Sequence, residues 1–169
     1  MMAGPYELYL IRHGLAEERG ERWPDDSKRP LTEEGMSRLR KQARGLARLG
    51  VTFDIVLTSP LVRTRQTAEI VAAGLEPRPH VTSVDSLTPD GSYPAVVADL
   101  EKHARKTRIA LVGHEPSIGE LAARLIGARH PIEFKKGAVC RIDVTALPPS
   151  GPGALRWFLT PGIMRSIRK

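Results

Sequence analysis

Short apolar runs alternate with segments of helical periodicity along most of the chain. The runs are brief, rich in β-branched residues and bounded by polar residues, which is typical of buried strands. They occupy residues 7–12, 53–57, 80–84 and 108–112. Between them, apolar residues recur at spacings of three and four, as on one face of a helix. These segments predict helices, which cover 32–50, a stretch starting at 58–60, about 94–104 and a stretch starting at 113–117.

The last part of the chain has a different pattern. Residues 138–145 and 154–159 predict two strands joined by a Pro- and Gly-rich turn at 147–153. The earlier alternation favours a mostly parallel sheet with helices on both faces, to which this hairpin adds an antiparallel edge. We therefore expect an α/β three-layer sandwich in a single domain spanning 1–169. The tail, which contains Arg165, Arg168 and Lys169, is expected to be frayed or loosely docked.

Composition and charge narrow the class of partner. The chain has 26 Lys and Arg against 19 Asp and Glu, a formal charge of +7, which favours anionic partners. Cys140 is the only cysteine, so no intrachain disulfide forms, which is consistent with a reducing cytoplasm. No apolar stretch is long enough to span a bilayer, and the N-terminus does not read as a signal peptide. We expect a cytoplasmic protein without a membrane partner.

Polar residues crowd the segment between the first strand and the first helix. Residues 15–29 contain nine charged side chains, from Glu17 to Arg29. We interpret this segment as a long surface loop that leads away from the first strand. Most of its charges are expected to be solvated, although long polar loops beside a site are often functional.

Three predicted strands end in residues that can bind an anion. The first strand runs into Arg12-His13-Gly14, the second into 58–63 and the fourth into 113–116. If the strands are parallel, these strand-end motifs meet at one edge of the sheet. That edge would gather two imidazoles, two guanidiniums and two helix N-termini, which together suit a dianionic tetrahedral group. Gly14 is expected to allow a sharp turn or the close approach of a ligand.

An imidazole at this edge can attack phosphorus. A neutral ring is a good nucleophile when its other nitrogen is held as N–H. Arg12 and Arg63 are then candidates for holding the phosphoryl oxygens, with Arg65 as a surface residue, and His114 for donating to a third oxygen. We expect no metal and no cofactor, because zinc would lack a third ligand and two arginines would repel a cation. The other histidines, His80, His103 and His130, are interpreted as structural or exposed.

Taken together, these motifs resemble the histidine phosphatase superfamily, which has the phosphoglycerate-mutase-like fold. The resemblance rests on Arg-His-Gly at 12–14, Ser-Pro-x-x-Arg-x-x-Gln-Thr-Ala at 59–68 and Gly-His at 113–114. The short chain is further similar to the bacterial SixA phosphohistidine phosphatases. That similarity adds Arg-Pro-Leu-Thr-x-x-Gly at 29–35, Leu-Thr-Pro-x-Gly at 87–91 and Gly-His-Glu-Pro at 113–116.

The resemblance implies a role for each matching residue. His13 would be the nucleophile that becomes phosphorylated, Arg12 and Arg63 would hold the phosphoryl oxygens, and His114 would stabilise the transition state. Larger members of the superfamily carry a glutamate proton donor near the position of 85–90. This chain has no glutamate there, as in SixA-like members, and Asp85 and Asp90 are the candidates to take its place. Without an acid, alkoxide leaving groups are disfavoured, so we expect a phosphohistidine on a protein as the substrate.

Two other functions remain open from the sequence. One is a small-molecule phosphomonoesterase of the same fold, acting on a small phosphate ester. The short chain has no inserted lid to enclose a metabolite, so a shallow site suited to a protein side chain is expected. The other is a non-catalytic module that binds a phospho-ligand or nucleic acid through the Lys and Arg clusters at 38–48, 102–108 and 135–136. Few aromatic residues accompany these clusters and no nucleic-acid motif is present, which argues against nucleic acid.

Overall fold

Six strands form one mixed sheet in a computed structural model, which describes residues 5–168. The strands are β1 Tyr6–Arg12, β2 Ile55–Thr58, β3 His80–Ser83, β4 Arg108–Gly113, β5 Val139–Val144 and β6 Ala154–Leu159. Their order is β3-β2-β4-β1-β5-β6, and the first four are parallel to one another. Strands β5 and β6 form the antiparallel edge. The predicted α/β architecture is therefore confirmed.

Helices cover both faces of this sheet. They are α1 Glu33–Arg48, α2 Val62–Ala73, α3 Tyr93–Lys102, α4 Ser117–Ile126 and α5 Pro161–Ser166. Alternate residues of a strand point to opposite faces, so β1 contributes to two separate cores. Leu8 and Leu10 pack on the side of α3 and α4. Tyr9 and Ile11 pack on the side of α1, α2 and α5.

The helix boundaries follow from local capping, with one difference from the prediction. Thr32 caps α1 by accepting a hydrogen bond from the backbone N–H of Gly35 at 2.9 Å, and Gly50 ends the helix with a φ of +77°. The second helix was expected to start at 58–60, but α2 begins at Val62. Residue Ser59 does not cap it, because its hydroxyl is directed to His114 and to the N–H of Leu61.

The end of the chain is better ordered than the sequence analysis predicted. Helix α5 is capped by Thr160, and Met164 on this helix is fully buried in the core beneath α1. A Cβ at Gly45 would lie 2.1 Å from the carbonyl oxygen of Met164, so only glycine lets the two helices approach this closely. The prediction of a frayed tail is wrong for 161–166, whereas Lys169 lies outside the described residues.

No helix in the described part of the chain is both long and apolar enough to cross a membrane.

Candidate active site

The three strand-end motifs meet at one edge of the sheet, as predicted. Arg12 at the end of β1 is paired with Gly113 at the end of β4, and Thr58 at the end of β2 is paired with Val112. The backbone N–H of His13 donates to the carbonyl of Gly113 at 3.1 Å. This register brings His13 and His114 together, with their ring centroids 5.4 Å apart.

His13 is held as a neutral ring with one nitrogen free. Only 6% of the residue is exposed, and its Nδ1 lies 2.7 Å from the carbonyl oxygen of Gly14. A carbonyl only accepts, so we assign the proton to Nδ1, which leaves the lone pair on Nε2. Burial, with smaller effects of His114, Arg63 and Arg12, lowers the pKa of His13 to about 3. At neutral pH the ring is therefore an unprotonated potential nucleophile.

His114 is fixed by a serine from the second strand end. Its Nε2 lies 2.9 Å from Ser59 Oγ, which itself accepts from the N–H of Leu61 at 3.3 Å. The serine hydroxyl can thus donate to Nε2, and we assign the ring proton of His114 to Nδ1. This Nδ1 is buried and has no hydrogen-bond partner within residues 5–168. Burial and the charge of Arg63 lower the pKa of His114 to about 4.

At this edge Arg63 is buried and Arg12 is half-buried, and both are anchored at their terminal nitrogens. Arg12 donates from one terminal nitrogen to the carbonyl of Phe134 at 2.7 Å. Arg63 donates to the carbonyl and to the carboxylate of Asp26, at 2.8 and 2.9 Å. Burial lowers the pKa of each guanidinium, although both stay charged at neutral pH. The Nε–H of each has no partner in the described part of the chain.

Unpaired donors are concentrated in this cluster. Buried polar atoms are nearly always hydrogen-bonded in proteins. Among the described residues, five buried side-chain polar atoms have no partner, and three of them are Arg12 Nε, Arg63 Nε and His114 Nδ1. Donors kept in place without a partner are what a site needs to stabilise a developing oxyanion. The arrangement therefore favours the binding of a tetrahedral anion beside the neutral ring of His13.

Helix α2 ties the strand ends together. Thr67 donates from Oγ1 to the carbonyl of Arg63 at 2.7 Å and accepts from the N–H of Gly14 at 3.1 Å. The preceding residue, Gln66, accepts from the N–H of Leu31 at 2.8 Å. The Gln-Thr pair that carries the family resemblance thus fixes the backbone next to His13 and the end of the 15–29 segment.

Asp26 is a site residue that the sequence analysis missed. Residues 15–29 were interpreted as a loop leading away from the site with mostly solvated charges, and most of these charged side chains are exposed. Asp26, however, binds Arg63, and Arg29 donates to the same carboxylate at 2.8 Å. Arg29 is only 7% exposed and also donates to the carbonyl of Glu17 at 2.8 Å. The segment therefore folds back over the site, and the prediction that it leads away from the site is wrong.

Glu115 supports the site from the opposite side. Its carboxylate accepts from the N–H of Gly119 at 2.8 Å and from the N–H of Phe134 at 3.3 Å. The carbonyl of Phe134 is the group that anchors Arg12. The Gly-His-Glu-Pro segment contained this signal, although the sequence analysis gave Glu115 no role.

The remaining candidates lie outside the cluster. Asp85 and Asp90 are exposed, and within the described chain neither carboxylate bonds to a site residue. Arg65, His80 and His130 are exposed and His103 is half-buried, as expected. Gly14 has no positive φ, but a Cβ there would lie 2.7 Å from Leu39 Cδ1, so close packing explains it instead of a sharp turn. Within 5–168, no three His, Cys, Asp or Glu residues come together as metal ligands.

Asp26→Asn is expected to lower kcat of the expected phosphoryl transfer on the order of ten-fold, because Arg63 is then held less firmly in its orientation. The amide removes the charge that holds the Arg63 terminal nitrogen but keeps the shape of the side chain. Asp25→Asn is the matched control, since Asp25 caps only the short turn at Asp26–Lys28. Steady-state kinetics of both variants test this. Equal activity of Asp26→Asn and wild type would show that Asp26 does not position Arg63.

Acidification is expected to destabilise the fold, because both site histidines are buried in the neutral form. An unfolded histidine takes up a proton near pH 6.5, whereas the folded pKa values are about 3 and about 4. The unfolded state then binds more protons, so the free energy of unfolding falls as pH drops between these values. We expect urea unfolding to show a loss on the order of 5 kcal/mol between about pH 7 and pH 4.5, since each histidine contributes about 1.4 kcal/mol per pH unit below 6.5.

The double variant His13→Asn/His114→Asn should lose most of this pH dependence, since asparagine does not titrate. His103→Asn should keep it. The same slope in the double variant and wild type would mean that other groups, such as the paired aspartates, control acid stability.

Comparison with known proteins places these observations in a family. The model of the histidine phosphatase superfamily (branch 1) matches residues 8–87. The chain is 30% identical over 157 residues to phosphohistidine phosphatase SixA of Escherichia coli, covering 92% of this chain and 94% of that protein. It is 42% identical over 137 residues to an uncharacterized protein of Picosynechococcus, covering 79% and 82%.

The fold is also similar to a solved structure with an anion. The structure of the protein histidine phosphatase SixA complexed with tungstate superposes with a TM-score of 0.81 at 29% identity. The match covers 92% of this chain and 97% of that one.

Proposed function

Since the chain belongs to the histidine phosphatase superfamily, we propose that it is a phosphatase that removes phosphate from phosphohistidine on a protein. In this proposal His13 is the nucleophile, Arg12 and Arg63 bind the phosphoryl oxygens, and His114 donates to the transition state. The observation that carries it is the buried, neutral His13 ring beside three unpaired donors. No metal or cofactor takes part.

The proposed reaction has two steps. The lone pair on His13 Nε2 attacks phosphorus, and the P–N bond of the substrate breaks. The leaving imidazole keeps its electron pair and takes a proton from water on its own ring. Water then attacks the phosphorylated His13, releases inorganic phosphate and restores the neutral ring. In both steps charge builds on the equatorial oxygens, where fixed N–H donors lower the barrier.

The lack of a carboxyl group free to protonate a leaving group supports phosphohistidine over an alkyl phosphate, because Asp26 is bound by arginines and Glu115 by backbone N–H groups. An alkoxide leaving group needs a proton, and positioned general acids contribute about 10²–10⁴-fold. The two carboxylates at 85 and 90 are exposed and form no bond with the site in the described chain. A histidine leaving group does not need them, because its ring has a basic nitrogen. The name of the Escherichia coli relative agrees with this choice of substrate.

Two peptides of one sequence test the proposal, one with phosphohistidine and one with phosphoserine at the same position. We expect kcat/KM for the phosphohistidine peptide to exceed that for phosphoserine by about 10²-fold or more, because only the serine needs an acid. The assay is release of inorganic phosphate, with His13→Ala as the blank. Equal or faster hydrolysis of phosphoserine would reject phosphohistidine as the preferred substrate.

A second candidate is a small-molecule phosphomonoesterase, and one cavity favours it. A cavity of about 420 Å³ has Gly113 and His114 in its wall and extends past Tyr93 and Leu121 to Arg124. Its volume is within the range of small-molecule sites. This differs from the shallow site that was expected because the short chain has no inserted lid. Small aryl and alkyl phosphates belong in the same assay. A kcat/KM above that of the phosphohistidine peptide would favour this function.

A further inference from the structure

Two hollows with basic walls adjoin along α1 and α5. The first has a volume of about 400 Å³ and extends from Gly14 to Arg165. The second, of about 310 Å³, shares Arg165 and is lined only by basic residues. We call the pair the basic groove. Its eight cationic side chains are Arg38, Lys41, Arg44, Arg48, Lys135, Lys136, Arg165 and Arg168.

The charge of this groove is largely unneutralised by the protein itself. No aspartate or glutamate lines either hollow. Within residues 5–168, Arg38 is the one groove residue with a carboxylate partner, Glu34. Arg48 donates to the carbonyl of Ile167 at 2.7 Å, which does not cancel its charge. A concave surface with one sign of charge concentrates positive potential and attracts anions.

The groove begins at the edge of the sheet where His13 lies. Gly14, the residue after His13, forms part of the wall of the first hollow. Lys135 follows Phe134, whose carbonyl anchors Arg12. The N–H of Gly137 donates to the carbonyls of Arg12 and His13 at 3.1 and 3.0 Å. From this edge the groove follows α1 towards its last residue, Arg48.

We propose that the basic groove docks an acidic surface of the protein that carries the phosphohistidine. This inference rests on the proposed function, because it adds a binding surface for the same substrate. A macromolecule that presents its phosphoryl group to His13 must also lie against residues near Gly14. An acidic surface beside the phosphohistidine of the substrate protein extends the contact into the groove and raises the association rate.

The composition of the groove favours a protein over other polyanions. Neither hollow has a Phe, Tyr or Trp in its wall, whereas single-stranded nucleic acids are usually bound by aromatic stacking. A flat bilayer does not enter a recess between two helices. An acidic protein surface needs only charge and hydrogen-bond donors, which Lys and Arg supply.

Two phosphohistidine peptides of equal length test the docking proposal. One carries a run of glutamates beside the phosphohistidine and the other carries glutamines. Wild type should prefer the acidic peptide by about ten-fold in kcat/KM at low salt, and the preference should approach one in high salt. The variant Lys41→Glu/Arg44→Glu should lose the preference while hydrolysing the glutamine peptide at the wild-type rate. Both residues are exposed and lie outside the catalytic cluster.

The matched control is Arg105→Glu/Lys106→Glu. It makes the same change in charge at two exposed residues before β4, at the sheet edge opposite the site. This control should keep the preference for the acidic peptide. If Lys41→Glu/Arg44→Glu also keeps it, the docking proposal is overturned and the phosphatase proposal stands. If wild type hydrolyses neither peptide, the proposed function itself fails, and the docking proposal fails with it.

Binding to other polyanions completes the test. Wild type and both double variants are mixed with phosphatidylglycerol vesicles and with a single-stranded oligonucleotide. If Lys41→Glu/Arg44→Glu loses binding to either polyanion but keeps its peptide preference, the groove serves a membrane or nucleic acid, and the proposal is rejected. Unchanged binding together with a lost peptide preference supports it.

Discussion

His13→Ala is expected to reduce turnover of a phosphohistidine peptide by at least about 10³-fold, because it removes the atom that accepts the phosphoryl group. The other donors remain, so weak binding of the substrate should persist. The clearest measurement follows the phosphoryl group itself. Wild type incubated with a ³²P-labelled phosphohistidine peptide should carry acid-labile label, and His13→Ala should carry none.

His103→Ala is the matched control for this experiment. His103 is half-buried at the end of α3 and does not bond to the site, so its loss should leave both turnover and labelling near the wild-type level. Thermal unfolding of both variants verifies that they are folded. Label on His13→Ala at the wild-type level would show that another residue is the nucleophile, with His114 the first to test.

The site combines features that cost stability with features that support catalysis. Burial keeps His13 and His114 neutral, and three donors at the same edge are left unpaired. An unpaired buried donor costs on the order of 1–3 kcal/mol. Such costs are concentrated at functional sites, where the surrounding structure compensates for them. Here the compensation comes from the anchors Asp26, Ser59 and Glu115, which hold the donors in place.

The strand ends could be predicted from the sequence because their signals are local. An apolar run that stops at Arg12-His13 or at Gly113-His114 indicates both a buried strand and a polar end. The parallel sheet then places those ends at one edge, which the register of β1 and β4 confirms. No further information was needed to bring the two imidazoles together.

The contact between Asp26 and Arg63 could not be predicted in this way. These residues are 37 positions apart, and the first lies in an irregular segment without periodicity. One aspartate among nine charged residues gives no sign that it folds back onto a helix. The end of the chain is a different case, because Thr160-Pro161 is a good helix start, whereas the expectation of a frayed tail rested only on its terminal position.

Arg63→Ala is expected to lower kcat/KM by about 10²–10³-fold, as for the loss of an oxyanion donor. Arg63 is 2% exposed and directs an unpaired Nε–H within the cluster. Arg63→Lys should recover only part of the loss, because lysine has no planar group that can bind Asp26 and a phosphoryl oxygen together. Inhibition by tungstate, which mimics the phosphoryl group, should weaken in parallel with the rate.

Arg65→Ala is the control that separates a role in the site from a general loss of positive charge. Arg65 lies two residues further along α2 and is exposed, so its removal makes the same change in net charge without touching the cluster. We expect wild-type kinetics and wild-type tungstate inhibition for this variant. If both alanine variants lowered the rate equally, the effect would come from long-range charge, and the assignment of Arg63 to the phosphoryl oxygens would fail. If only Arg63→Ala does so, the helical register that places residue 63 at the end of β2 determines where the anion binds.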